Sequence, residues 1–344
     1  MVTLVVPIYN MEQYLPRCME SLLHQSCGDY EILLINDGST DSSGAMCDGY
    51  ASKYPELIRV IHKANGGLSS ARNAGIDHAR GEFIIFPDPD DWAEPNYVQS
   101  FVERQQRFQA DMVVLGHYID TEQSSVPATK DAPMQFLSGY DAQRGLLLPP
   151  RMHGFSWIKL YRLELIRNSG LYFQTGMGTT EDLDFAYRYL ARCQRVCYDP
   201  GCQVYHYCQR SDSATQSPFL REKMGTFKTF EHIIRDCTDR DPELVRQAET
   251  EICTAAVNLL WENESAVLPD PTVRRELRGR ILRLLPGYLR QSQYGFGRKI
   301  QTLLAAGFPR LFLYLKRTAR AVSAKHYEKM QWPSGCADKK EYDA

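Results

Sequence analysis

The chain has 344 residues, 43% apolar and 24% charged, ordinary proportions for a globular protein and too rich in core-forming side chains for extensive disorder. No run approaches the ~18 consecutive apolar residues of a membrane-spanning helix. The net charge of −2 hides a split: residues 271–330 hold fourteen Lys or Arg against Glu276 and Glu328, a net +12, while residues 1–270 carry −13. An acidic body with a basic tail that meets an anionic surface is the expected arrangement.

In chain order, Val2–Ile8 reads as an apolar strand from the outset, so no secretory leader is expected. Met11–His24 spaces Tyr14, Leu15, Cys18, Leu22 and Leu23 as a helix. Glu31–Ile35 is a second strand, Asn36-Asp37-Gly38-Ser39-Thr40-Asp41 a polar turn, and Ser42–Lys53 a helix. Leu57–Ile61 is a third strand, Gly66-Gly67 leads a helix over Ser69–Arg80, and Glu82–Phe86 is a fourth strand. This β-α-β-α-β-α-β alternation predicts an α/β doubly wound sheet, whose ligands bind beyond the carboxyl ends of the strands. Asn96–Phe108 follows as a helix and Asp111–Gly116 as a strand; residues 120–135 read as an irregular loop. Glu181–Arg192 is helical, Val196–Tyr198 and Gln203–Tyr207 are strands, and the chain beyond Pro218 is helical, with breaks at Asp239–Pro242, Val267–Pro271, Pro286 and Phe308–Pro309. The ten cysteines form no Cys-x-x-Cys pair, which predicts reduced, buried thiols in a cytoplasmic protein.

Four polar motifs fall on the predicted rim. After the fourth strand, Phe86-Pro87-Asp88-Pro89-Asp90-Asp91-Trp92 crowds three carboxylates onto a turn. Either a hard divalent cation sits among them, or Asp91 or Glu94 caps a helix with Pro95 in its first turn. Asp37 could accept from the imide N–H of a uracil, or belong to an Asx turn with Asp41 as the cap. Asn65-Gly66-Gly67 opens a helix N-terminus suited to phosphate, and Arg72 lies within reach of a diphosphate or base. Lys63 precedes these glycines and no Gly-Lys-Ser/Thr follows, so this is no Walker loop.

Taken in series, Pro7-Ile8-Tyr9-Asn10, Asn36–Asp41, Asn65-Gly66-Gly67 with Ser70-Ala71-Arg72-Asn73, and Asp88-Pro89-Asp90-Asp91 resemble the family-2 glycosyltransferases, closely over residues 1–95 and more weakly to 213. The resemblance implies a GT-A fold: a Rossmann-like domain with a mostly parallel sheet over 1–215, binding the nucleotide sugar through 1–115 and the acceptor through 116–215. A helical region over 216–344 follows, basic from 271 to 330. Pro7, Tyr9, Asp37, Asn65, Gly66, Arg72 and Asp88 would hold the nucleotide sugar. Asp88 and Asp90 look like the family's Asp-x-Asp pair, Asp90 being the direct Mn²⁺ or Mg²⁺ ligand. The chain departs from the pattern in having Asn36 where an aspartate is common, and Pro89 where a small residue is usual.

Thr180-Glu181-Asp182 looks like the family's Glu-Asp motif, with Asp182 the base that takes the acceptor hydroxyl's proton. The bland reading is a pair of acids favouring a helix N-terminus. Phe155-Ser156-Trp157-Ile158-Lys159-Leu160-Tyr161 matches the family's segment beside the acceptor, which makes Trp157 and Lys159 acceptor contacts, although a core tryptophan fits equally. Tyr205-His206-Tyr207 matches a strand from which His206 could complete the metal site, or Arg210, ahead of Ser213, close over the diphosphate. The expected enzyme is an inverting, metal-dependent glycosyltransferase using a UDP-linked donor and a glycan or lipid-linked acceptor in surface polysaccharide or cell-wall synthesis. Its rivals are a non-catalytic sugar-binding module and a nucleotidyltransferase, the latter opposed by the lack of a glycine-rich basic loop after strand one. The basic tail suggests an anionic membrane surface, a peripheral location on its inner face, and no nucleic acid, for which no motif exists. The plainer reading of the tail is a helical cap on the acidic body.

Overall fold

The computed structural model describes residues 1–129, 132–209, 221–291, 295–316 and 318. Its first strands, β1 (Val2–Ile8) and β2 (Tyr30–Asn36), are buried at every position, as continuous apolar runs in a sheet covered on both faces must be. With β3 (Ile58–His62) and β4 (Phe83–Ile85) they form a parallel array in the order β3-β2-β1-β4. The connections are α1 (Leu15–Leu23), α2 (Ser43–Lys53) and α3 (Leu68–His78). Strand order reverses at β1, and this switch point opens the crevice at the carboxyl ends of β1 and β4. Helix α3 lies directly on β1: a Cβ added at Gly75 would fall 2.2 Å from Val5 Cγ1.

The second half of the sheet is mixed. It contains β5 (Trp92–Ala93), α4 (Tyr97–Phe108), β6 (Met112–Asp120), β7 (Ser125–Pro127), β8 (Gln135–Leu137), α5 (Gly139–Gly145), β9 (Lys159–Arg162), α6 (Leu163–Asn168), α7 (Glu181–Leu190) and β10 (Val196–Cys208). Beyond β4 the order continues β9-β6-β10-β5, with β9 antiparallel to both neighbours and β10 parallel to β6. The predicted Val196–Tyr198 and Gln203–Tyr207 are one strand, whose register on β6 shifts between Asp199 and Gln203. Part of the expected loop 120–135 is strand: β7 pairs with β6, and β8, starting at Gln135, pairs with β10. Helix α4 starts behind Asn96 with no side-chain cap, so neither Asp91 nor Glu94 caps it.

Contacts divide the chain into Met1–Ala248 and Glu249–Ala344. The first unit holds the sheet, α8 (Thr226–Cys237) and the start of α9 (Pro242–Ser265). The second holds the rest of α9, α10 (Pro271–Arg290), α11 (Phe296–Gly307) and a helix over 309–316. Pro286 does not break the chain as expected; it lies inside α10. Among the described residues no helix is long and apolar enough to cross a membrane. Nine cysteines are described, and none forms a disulfide.

Candidate active site

The rim is built from turns that the strand ends force. Pro7 is buried within β1, while Tyr9, just past its end, is 45% exposed over the crevice side of the turn. Asp37, at the end of β2, is 2% exposed and fully engaged: it accepts from Gly66 N (3.0 and 3.1 Å), Gly67 N (2.8 Å) and the Lys63 ammonium. Its carboxylate therefore holds the Asn65-Gly66-Gly67 loop in place, and the base-contact role must share that carboxylate with three donors. Asn65 and Gly66 themselves are exposed on the rim.

Arg72 takes a different post from the one expected. Helix α3 carries it into the interior, 1% exposed, where Nη2 donates to Asp88 at 2.9 Å and Nη1 to Glu181 at 3.3 Å and to Asp182. Its Nε is buried without a partner. The guanidinium is thus spent on three carboxylates, not presented to a nucleotide. It ties the turn after β4 to the first turn of α7, two segments about a hundred residues apart in the chain. Three acids on one arginine leave surplus negative charge in a poorly solvated place. Burial pushes Asp88 and Glu181 above the usual carboxylate range; the Arg72 charge opposes it in both, while Asp90 raises Asp88 and Asp182 raises Glu181.

The acids of the turn separate cleanly. Asp88 and Asp90 are partly exposed, whereas Asp91 is 2% exposed and accepts from Cys208 N at 2.8 Å, pinning β10 beneath the turn. Tyr205 adds a second tie, its hydroxyl accepting from Asp88 N at 2.9 Å. Asp182 Oδ2 accepts from Ser156 N at 3.1 Å, so the predicted base is held from two sides, by that amide and by Arg72.

Three other expectations are corrected. His206 is engaged elsewhere than with the Asp88–Asp90 pair: Nδ1 meets Asp120 at 3.0 Å, Nε2 meets Glu94 at 3.0 Å, and the ring is stacked between Trp92 and Tyr118. Both ring nitrogens face carboxylates other than Asp88 and Asp90. Trp157 is 3% exposed, inside a stack with Phe155, Tyr205 and Tyr207, and cannot offer a face to a sugar. Lys159 is fully buried, donating to the carbonyls of His153 (2.9 Å) and Phe155 (2.8 Å); burial brings its ammonium down to about 7 against the pull of Asp182. It shapes the 153–155 loop instead of touching an acceptor. Arg210 and Ser213 lie outside the described residues.

Among the described residues no group of three His, Cys, Asp or Glu side chains is arranged to hold a metal alone. A hard cation bound through one or two carboxylates and the phosphates of a substrate needs no such cage, and Asp88 and Asp90 fit that lesser requirement. Sequence reasoning missed Lys63, noticed only as misplaced for a Walker loop, and Ser156, whose contribution is a backbone amide. Neither contact is local, and a backbone donor leaves no trace in residue type.

Residues 3–169 match the sequence model of Glycosyl transferase family 2. EpsJ of Bacillus subtilis, described as an uncharacterized glycosyltransferase, is 37% identical over 231 residues, 64% of each chain; the putative glycosyltransferase EpsH of the same organism is 35% identical over 60% of each. The chain thus spans less than two thirds of the length of these relatives. The S. aureus TarS 1–349 structure in complex with UDP-GlcNAc superposes with a TM-score of 0.61 at 17% identity, covering 83% of this chain and 81% of that one. The motif-bearing stretch 3–169 is thus similar to glycosyl transferase family 2, and the chain has the GT-A fold of TarS.

Proposed function

We propose that the protein transfers a sugar from a nucleoside-diphosphate donor, in the first instance a UDP-sugar, to a hydroxyl of a glycan or lipid-linked acceptor, with inversion at the sugar. The observation that carries this reading is the single buried guanidinium that brings Asp182 to the acidic turn after β4. Asp182 removes the proton from the acceptor hydroxyl, held in aim by Ser156 N and Arg72. Glu181 lies beside it, its carboxyl raised by burial and by Asp182 against the pull of Arg72. The Asn65–Gly67 loop, the mouth of α3 and Tyr9 form the nucleotide side. Mn²⁺ or Mg²⁺, held by Asp90 and Asp88, would neutralise the departing diphosphate. The UDP choice is supported by TarS having been crystallised with UDP-GlcNAc and with UDP.

The setting proposed is surface polysaccharide or cell-wall glycan synthesis, supported by likeness to minor teichoic acid biosynthesis proteins GgaB and GgaA of Bacillus subtilis, at 46% over 91 and 42% over 105 residues. The location proposed is the cytoplasmic side of a membrane, with the described basic helices between 271 and 316 toward anionic lipid; the rest of the basic stretch, 319–330, lies outside the described residues. The central test is a screen of UDP-sugars for metal-dependent UDP release with wild type, Asp90→Ala and Asp182→Asn. Release should depend on Mn²⁺ or Mg²⁺ and fall in Asp90→Ala; transfer to acceptor should vanish in Asp182→Asn with donor binding intact. No release from any donor would turn the reading into a non-catalytic sugar-binding module.

A further inference from the structure

Helix α7, whose first turn carries Glu181 and Asp182, begins in an unusual way. Thr180 stands where a helix cap belongs, and threonine makes a good one: its backbone ordinarily lies in the β region while its hydroxyl accepts from an amide of the first turn. Here it does neither. Its φ and ψ are 65° and 12°, in the left-handed region, and its side chain makes no capping hydrogen bond. A β-branched residue in that region is a steric outlier, because Cβ crowds a carbonyl oxygen. Strain of this kind persists where surrounding contacts impose it, and it concentrates at functional sites.

The contacts that impose it come from α8. The Thr180 hydroxyl donates to Thr226 Oγ1 at 3.3 Å and lies 3.2 Å from Thr229 Oγ1, which is also 3.5 Å from the Thr180 carbonyl oxygen. With its one proton given to Thr226, the Thr180 hydroxyl accepts from Thr229. Thr226 and Thr229 are 4% and 1% exposed, so a buried pair grips it. The backbones alongside are interlocked. Gly178 N donates to Glu222 O at 2.9 Å, and a Cβ at Gly178 would fall 2.7 Å from Lys223 N, while a Cβ at Gly225 would fall 2.9 Å from Met177 Cα. Thr180 therefore cannot swing back to an ordinary cap without pulling away from α8.

What this turn aims is the acid pair. Immediately past Thr180, Glu181 and Asp182 both reach Arg72, and Asp182 also accepts from Ser156 N at 3.1 Å. Consecutive side chains diverge by about 100° around a helix axis, so one guanidinium meets both acids only over a narrow range of entry angles. The alternative is the ordinary cap, with Thr180 relaxed into the β region, its hydroxyl on the α7 amides, and the acids turned off Arg72. We infer that Thr180, braced by Thr226 and Thr229, is a positioning residue: it gives up a helix cap for a left-handed turn that sets Asp182 against Arg72 and Ser156 N. That Asp182 is the base rests on the proposed transfer; its placement by Thr180 does not.

Amide hydrogen exchange on the full chain, read by mass spectrometry at the Ser156 amide, tests the placement without turnover. Thr229→Val keeps the shape of the buried side chain and removes its hydroxyl. Thermal unfolding should stay close to wild type while Ser156 exchanges about tenfold faster, as the carboxylate it donates to shifts. Thr229→Ser keeps the hydroxyl and should exchange as wild type does. Thr180→Gly removes strain and hydroxyl together and reaches the same brace from the other side. It should unfold close to wild type yet show the faster exchange, which separates aim from stability, and it decides alone if Thr229→Val does not fold. Unchanged exchange at Ser156, or faster exchange spread equally over β1 and β2, overturns the assignment. UDP release from UDP-GlcNAc with Mn²⁺ is read separately, and in Thr229→Val and Thr180→Gly kcat should fall about tenfold with KM unchanged. A wild-type kcat in both variants overturns the positioning role, whereas no release by the wild type itself counts against the transfer reading alone.

Discussion

At the scale of single residues, the decisive side chain is Arg72, and its importance differs from what its place in a nucleotide motif implies. Its fork divides between an acid on the donor side and the predicted base on the acceptor side, with Glu181 between them. Lysine keeps the charge but cannot reach three carboxylates along fixed directions. Arg72→Lys should fold, bind donor nearly as wild type, and lose on the order of 10²-fold in turnover, the usual cost of a misplacement of about 1 Å. Arg72→Ala leaves three partly buried acids uncompensated and should cost up to ~3 kcal/mol in urea unfolding. Wild-type turnover in Arg72→Lys would show that a point charge suffices and that the fork's geometry is immaterial. The residues themselves were legible: Asp88, Glu181, Asp182 and Arg72 all stand out by type and position. Their pairing was not, because it depends on which strand end faces which helix start, a contact spanning about a hundred residues. His206 misled for the same reason, since Asp120 and Glu94 sit far from it in the sequence yet claim both its nitrogens.

At the scale of elements, the parallel half announces itself. Each strand from β1 to β4 is an apolar run closed by turn residues, so periodicity and punctuation agree. The mixed half was harder: β5 has two residues, β9 four, and their pairing comes from tertiary contact more than from pattern. The long β10 was read as two strands because Pro200 and Gly201 interrupt it, yet the sheet absorbs them as an irregularity in register. Packing within the parallel half also controls the chemistry. Gly75, one turn beyond Arg72, lets α3 rest on Val5 with no side chain between. Gly75→Ala should cost ~1–3 kcal/mol as an overpacked core and should lower turnover by tilting the helix that carries the guanidinium. Val5→Ala in the same chain should restore both. Failure of the double variant to recover stability in urea unfolding would place the strain elsewhere.

At the scale of the whole chain, the second unit has a surface unlike the first. Among the described residues nineteen large apolar side chains are exposed, and ten of them lie between Val267 and Leu315, including Phe296 (80%), Phe308 (67%) and Tyr314 (65%). Cations flank them at Arg298, Lys299, Arg310 and Lys316, each worth ~1 kcal/mol near an anionic leaflet. In flotation, the full chain should rise with phosphatidylglycerol vesicles and not with phosphatidylcholine. Leu303→Glu with Leu311→Glu should abolish this, and added salt should weaken it. Equal flotation of wild type and double variant would leave the basic helices without a lipid role. The charge split was visible in the sequence, but which apolar residues face outward was not, because α11 and the helix that follows also bury Ala305, Ala306 and Phe312. The unoxidised cysteines have a further consequence. Cys18 and Cys47 are sealed in the first unit and Cys253 in the second, and burial drives all three thiols upward, to about 12 for Cys47 and Cys253. A thiol so held is deaf to alkylating reagents until the chain around it opens. Each unit thereby carries its own clock, and the order in which these cysteines become labelled tells which half of the molecule breathes first.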